Sequence, residues 1–207
     1  FQLEKLAHCL RPGDPTHSPW VFEYGKNERF DFGFTEVVTP RANRIILVRQ
    51  IPGLSYNFSQ ELEPHLAALG AQCQVGFVAS YHVGGPVPED DQVRQEYFRN
   101  SAATLRRLKE DNPGLKLHFE YVPTKEPQWE REMFAEISPE IHSFGINETE
   151  IVRVLTSFGH EDLALEVRER ERAYVLYQGA LELKDKLGFQ RVHVHNLGYY
   201  VLVLAKP

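Results

Sequence analysis

L-K-L-H-F-E-Y-V, residues 115–122, alternates as a β-strand does. Strand side chains repeat with period two. Leu115, Leu117, Phe119 and Tyr121 therefore share one face, and Lys116, His118, Glu120 and Val122 share the other. His118 and Glu120 stand together near the strand's C-terminal end, where an open α/β sheet binds ligands. A carboxylate there can hold Mg²⁺ directly or through water, and a neighbouring imidazole can orient it. For H-x-E by itself, a strand with two polar residues facing solvent is the commoner outcome.

Outward from this strand the pattern alternates between helices and strands. Before it, Asp90 or Asp91 opens a helix to about residue 111, stopped by Asn112-Pro113-Gly114. Earlier still, Ser59 caps a helix through Leu69 that Gly70 ends, and residues 74–79 form an apolar strand. A loop with Tyr81, His82, Gly84 and Gly85 follows. After the central strand come a helix at 127–136, a short strand at 142–146 and a helix from Asn147 to about Phe158. One long charged helix then covers 161–187, ended by Gly188. Strands at 191–195 and 199–204 complete the series. The rhythm predicts an α/β fold, a mostly parallel sheet with helices on both faces.

Residues 20–50 differ. Aromatic and β-branched runs alternate with turn chemistry at Gly25-Lys26-Asn27, and no crossover helix appears. This predicts a small antiparallel sheet, and a division into a β-rich portion at 1–55 and an α/β portion at 56–207. Residues 1–19 hold a short apolar-periodic piece and a breaker-rich loop.

Composition narrows the class. The 207 residues are 42% hydrophobic and 25% charged, as in ordinary globular proteins. A net charge of −6 with no basic run argues against a broad nucleic-acid surface. No apolar run approaches a membrane span. Glu4, Lys5 and His8 interrupt the first ten residues, against a signal peptide. Cys9 and Cys73 form no metal spacing and no secreted framework. The expectation is a cytoplasmic protein.

Three further clusters carry chemistry. Asn147-Glu148-Thr149-Glu150 fits an Asn capping box, which is a sufficient structural account. The same helix start can attract phosphate, and Glu150 can reach Mg²⁺ through water. In R-V-H-V-H-N-L-G-Y-Y, residues 191–200, His193 and His195 share a strand face, and Tyr199 and Tyr200 offer flat rings. Two such histidines can bind a transition metal or serve as satisfied core or edge residues. In P-R-A-N-R, residues 40–44, an arginine can bridge phosphate or lie solvated in a loop.

Taken together, W-V-F-E-Y (20–24), P-R-A-N-R, L-H-F-E (117–120), F-G-I-N-E-T-E (144–150) and R-V-H-V-H-N-L-G-Y-Y resemble the ADP-dependent glucokinase/phosphofructokinase family. These are ribokinase-like glycolytic kinases that use ADP as phosphoryl donor. The resemblance implies that residues 20–50 are part of a lid and that residues from 59 on belong to the nucleotide-binding domain. It implies that Glu120 and Glu150 serve Mg²⁺, with His118 supporting Glu120. Asn147 would lie near the phosphates, Arg44 near the transferred phosphate, and His195, Asn196 and Tyr200 at the adenine. The partners implied are ADP or AMP and a hexose or hexose phosphate.

Departures accompany the resemblance. The family's catalytic aspartate belongs to a G-x-G-D element, which occurs nowhere in these residues. Its sugar-contacting N-terminal segment has no counterpart before Trp20. Its Ser-Gly loop reads Ala79-Ser80-Tyr81-His82 here. The chain thus looks like the middle of such a kinase, not expected to turn over sugar by itself. Two alternatives stand beside this: a catalytically silent relative that binds nucleotide or a partner, and a zinc hydrolase built on His118, Glu120, His193 and His195.

Overall fold

Strands β5 (Val75–Ala79), β6 (Lys116–Glu120), β7 (Ser143–Asn147), β8 (Arg191–His195) and β9 (Tyr200–Leu204) form one sheet in that order. The first four run parallel, and β9 pairs antiparallel with β8. The computed structural model describes residues 20–47, 62–79, 87–170, 172–196 and 198–206. The chain divides into two units, Phe1–Leu54 and Ser55–Pro207. The expected 1–19 segment, the start of the helix at Ser59 and the loop with Tyr81 to Gly85 lie outside the described residues.

Parallel neighbours need a crossover, and helices supply it. Helix α2 (Asp91–Lys109) leads to β6, and α3 (Pro127–Ile137) leads to β7. Helices α4 (Glu148–Ser157), α5 (Glu161–Arg170) and α6 (Ala173–Leu187) lead to β8. β9 returns antiparallel to β8, and the Asn196 amide donates to the Tyr199 carbonyl at 3.1 Å. Asp90 caps α2 by accepting from the Gln92 and Val93 amides. Gly188, at φ 74°, closes α6 in the left-handed region.

The core lies between the helices and one sheet face. Leu117 and Phe119, Phe144 and Ile146, Val192 and Val194, and Val201 and Val203 all point into it. Phe144 stacks on Phe189 at 5.0 Å and meets Phe134 edge-on at 5.5 Å. Helix α1 (Leu66–Ala71) packs on α2, α2 on α3, α3 on α4, and α4 on α5 and α6. Beneath them Glu130 is fully buried, yet it accepts from the Tyr121 hydroxyl and the Ser157 hydroxyl, each at 2.6 Å, and pairs with Arg153. That network anchors the chain just beyond the end of β6.

Three expectations for the larger unit change. The described helices cover one sheet face; on the other, Phe77, Tyr200, Leu202 and Leu204 are exposed among the described residues. The helix over 161–187 is two helices, with Arg172 in extended conformation before α6. Ala164 and Val167 on α5, and Val175, Leu176, Ala180 and Leu183 on α6, all reach the core, and α5 packs back on α6 to allow it. Gly70 does not terminate α1 but lies inside it, pressed on α2: a Cβ there would sit 1.7 Å from the Leu108 carbonyl oxygen.

Among its described residues the smaller unit holds two antiparallel ribbons where one sheet was expected: β1 (Trp20–Tyr24) with β4 (Asn43–Leu47), and β2 (Arg29–Asp31) with β3 (Glu36–Val38). Asn27, at φ 64°, makes the turn after β1. Buried Thr39 ties it by donating to the Gly25 carbonyl at 2.6 Å and accepting the Glu28 amide at 2.9 Å. Among the described residues, no helix is long and apolar enough to cross a membrane.

Candidate active site

β6, β7 and β8 are adjacent and parallel, so their C-terminal ends open on one edge. His118 lies opposite Ser143, Glu120 opposite Gly145, Gly145 opposite His193, and Asn147 opposite His195. Period two therefore puts these side chains on the sheet face that the helices leave uncovered.

They meet at Glu120. His195 Nε2 is 2.9 Å from Glu120 Oε1, and His118 Nε2 is 3.1 Å from Glu120 Oε2. A carboxylate only accepts, so each Nε2–H donates. A neutral His118 then accepts the Ser143 hydroxyl at Nδ1, 2.8 Å away. Two imidazoles from strands on either side of β7 thus hold one carboxylate above it. The fit depends on Gly145: a Cβ there would lie 2.1 Å from Glu120 Oε2 and 2.7 Å from His118 Nε2. His118 is itself buried, with Phe77 edge-on at 5.4 Å, so it is not the solvated strand residue of the simpler reading.

The electrostatics follow from these contacts. The His118 hydrogen bond, aided by His195 and opposed by partial burial, holds the Glu120 carboxyl below the ordinary range. Burial pushes Glu150 up; the Asn147 amide and His195 oppose this, while the charge on Glu120 adds to it. Geometry places both at one edge: His195, which bonds Glu120, lies opposite Asn147, whose amide donates to Glu150. His193 is pushed down, first by burial and then by Arg191 and His195.

The capping box forms at Asn147. Its side chain accepts from the Thr149 and Glu150 amides at 2.9 and 2.8 Å, and Glu150 Oε2 accepts the Asn147 amide at 3.0 Å. The start of α4 is thus closed by its own side chains. Tyr200 is 73% exposed, its ring 5.2 Å from His193. Asn196 Oδ1 accepts the Gly198 amide at 3.1 Å and so shapes the turn before Tyr200. Arg44 lies exposed on β4 opposite Glu23, in the unit Phe1–Leu54.

The structure thus gathers His118, Glu120, Asn147, Glu150, His193 and His195 at one edge. It adds Ser143 and Gly145, which were not singled out in the sequence. Their signal was the alternation of S-F-G-I against H-F-E, visible only once β6 and β7 are known to be neighbours. Among the described residues, no group of three or more His, Cys, Asp or Glu side chains is placed to hold a metal ion. With His118 and His195 both turned to Glu120, the zinc set expected for a hydrolase is not assembled. Mg²⁺ asks less of the protein: one or two carboxylates, with water and phosphate oxygens completing its shell. The half-exposed Glu120 carboxylate, with Glu150 at the same sheet edge, fits that demand.

Comparison with known proteins agrees in fold and in pattern. Residues 8–207 match the family described as ADP-specific phosphofructokinase/glucokinase conserved region. An ADP-specific phosphofructokinase of Methanosarcina acetivorans is 29% identical over 99% of this chain and 42% of its own length. An ADP-dependent glucose/glucosamine kinase of Pyrococcus abyssi is 22% identical over 89% of this chain and 38% of its own. The chain thus spans less than half the length of these relatives. A solved ADP-dependent kinase in complex with fructose-6-phosphate and ADPbetaS superposes with a TM-score of 0.81 at 30% identity, over 95% of this chain and 43% of that one. The sheet and its helices have the ribokinase-like fold expected from the motifs. The chain belongs to the ADP-specific phosphofructokinase/glucokinase family.

Proposed function

We propose that this chain supplies the nucleotide- and metal-facing part of an ADP-dependent sugar kinase. The reaction moves the β-phosphoryl group of ADP to a sugar hydroxyl and leaves AMP. The observation that carries this reading is the Glu120 carboxylate, fixed by His118 and His195 at the C-terminal edge of parallel strands. Such an edge is where this class of sheet takes its ligands. The higher identity to the Methanosarcina phosphofructokinase than to the Pyrococcus glucose/glucosamine kinase favours fructose 6-phosphate as acceptor.

Each residue then has a task. Glu120, with Glu150 beside it, would hold Mg²⁺, which when bound neutralises charge on the phosphate oxygens. His118, steadied by Ser143, keeps one Glu120 oxygen in place, and His195 keeps the other. Asn147 and the start of α4 lend positive potential to the phosphates. Tyr200 offers its exposed ring to adenine beside His195 and Asn196. Arg44 would stabilise the transferred phosphoryl group. The proton of the attacking hydroxyl needs a base, which the resemblance assigns to a G-x-G-D aspartate that these residues do not contain. Activity is therefore expected only from a longer protein that carries that aspartate. On this reading the protein works in the cytoplasm.

The test is thermal unfolding of the 207-residue chain with ADP. The expected result is a rise in Tm that requires Mg²⁺ and is lost in Glu120→Ala. An absent rise, or an equal rise in the variant, would overturn the assignment.

A further inference from the structure

The opposite edge of the sheet carries a cavity of about 630 Å³, within the range of small-molecule sites. It lies where β6, β7 and β8 begin, so the length of the strands separates it from Glu120, Asn147 and His195. Lys109, Lys116, Arg131 and Lys186 line it, against one acidic residue, Glu140. In a chain of net charge −6, this is a local reversal of sign.

The cations are not all spent. Lys109 pairs with Glu140 at 3.2 Å, and Arg131 donates to the Ser157 carbonyl at 3.0 Å. Lys116 and Lys186 are exposed and make no ion pair among the described residues. His142, also in the wall, registers the field: burial, then Lys116, Arg191 and Lys109, push its pKa down. Ser138, another lining residue, has a buried hydroxyl with no hydrogen-bond partner among the described residues. Beside these groups, half-buried Phe158 and Leu187 give the cavity an apolar side.

We propose that this cavity binds a small organic phosphate, its phosphate on Lys116 and Lys186 and its apolar or ring-bearing body against Phe158 and Leu187. Lysines hold phosphate as point charges, and charge-assisted hydrogen bonds are the strong ones. The site is separate from the candidate active site and does not depend on what that site does.

Calorimetric titration of the 207-residue chain with phenyl phosphate tests it, with inorganic phosphate as a second probe. Phenyl phosphate should bind saturably and more tightly than inorganic phosphate. The double variant Lys116→Gln/Lys186→Gln should weaken it about tenfold or more, since each charge-assisted contact carries roughly that factor. Both lysines are exposed, so the fold should persist, which circular dichroism checks. Glu120→Ala, at the other edge, should bind phenyl phosphate as the wild type does. By NMR the His142 ring resonances should move with ligand while those of His195 stay. No saturable binding up to about 10 mM, unchanged affinity in the double variant, or loss of binding in Glu120→Ala would each overturn the proposal.

Discussion

The two faces of the five-stranded sheet are built by the same strands and have opposite character. On one, Phe119, Phe144, Ile146 and Val192 are sealed under helices. On the other, residues one step along the same strands are His118, Gly145, Asn147 and His193. That face leaves Phe77 82% exposed and Leu202 48% exposed, in the same surface as the Glu120 cluster. The difference shows how period two divides labour: odd positions of β6 hold the fold, and even positions hold the chemistry.

The sharpest way to break the comparison is to truncate one residue on each face. Phe144→Ala should cost about 3–5 kcal/mol, since the cavity it leaves is walled by Phe119, Phe134 and Phe189. Phe77→Ser should change stability by no more than about 0.5 kcal/mol, as exposed substitutions do. Urea unfolding of the two variants measures both. Equal losses would mean that Phe77 is not on a free surface. Gly145→Ala comes next and acts on the polar face alone. The added methyl occupies the space of Glu120 Oε2, so the carboxylate and His118 must shift. A loss of about 1–3 kcal/mol is expected, as for overpacking. The Mg²⁺-dependent rise of Tm with ADP should disappear while circular dichroism stays native. Asn147→Ala should cost about 1 kcal/mol, the worth of a helix cap.

Much of this arrangement was legible because it is local. The alternation of residues 115–122 marked β6 and its two faces, and Asn147 with Glu150 marked the capping box three residues apart. What stayed hidden depends on distance in sequence. Glu120 and His195 are 75 positions apart, and only the strand order brings them to 2.9 Å. Gly145 looked like any strand glycine until its neighbours on β6 were known. Gly70 reads as a helix stop, yet its lack of a side chain serves contact with α2. The break between α5 and α6 falls in E-V-R-E-R-E-R, a run of good helix formers; packing, not propensity, bends the chain there.

The smallest effect separates the two edges of the sheet by pH. His142, at the basic edge, has its pKa pushed below the ordinary histidine value, first by burial and then by the neighbouring cations. The unfolded chain therefore binds that proton more readily than the folded one, so stability rises with pH across this window. It is fully present above about pH 6.5 and is lost as pH falls from there through the folded pKa. His193 acts in the same sense and window. Glu120 acts lower: its pKa is depressed by His118 and His195, so its contribution is present above the ordinary carboxylate range and lost as pH falls through the folded value. Glu150, pushed up by burial, opposes Glu120, because its protonation favours the fold. Unfolding followed from pH 8 to pH 3, at about half-unit steps, resolves these contributions. His142→Gln should reduce the upper part of the curve to the share of His193 and leave the lower part, whereas Glu120→Gln should reduce the lower part and leave the upper. A single variant that removed both would mean that the two edges titrate as one unit, and the separation of charge along the strands would have no energetic consequence.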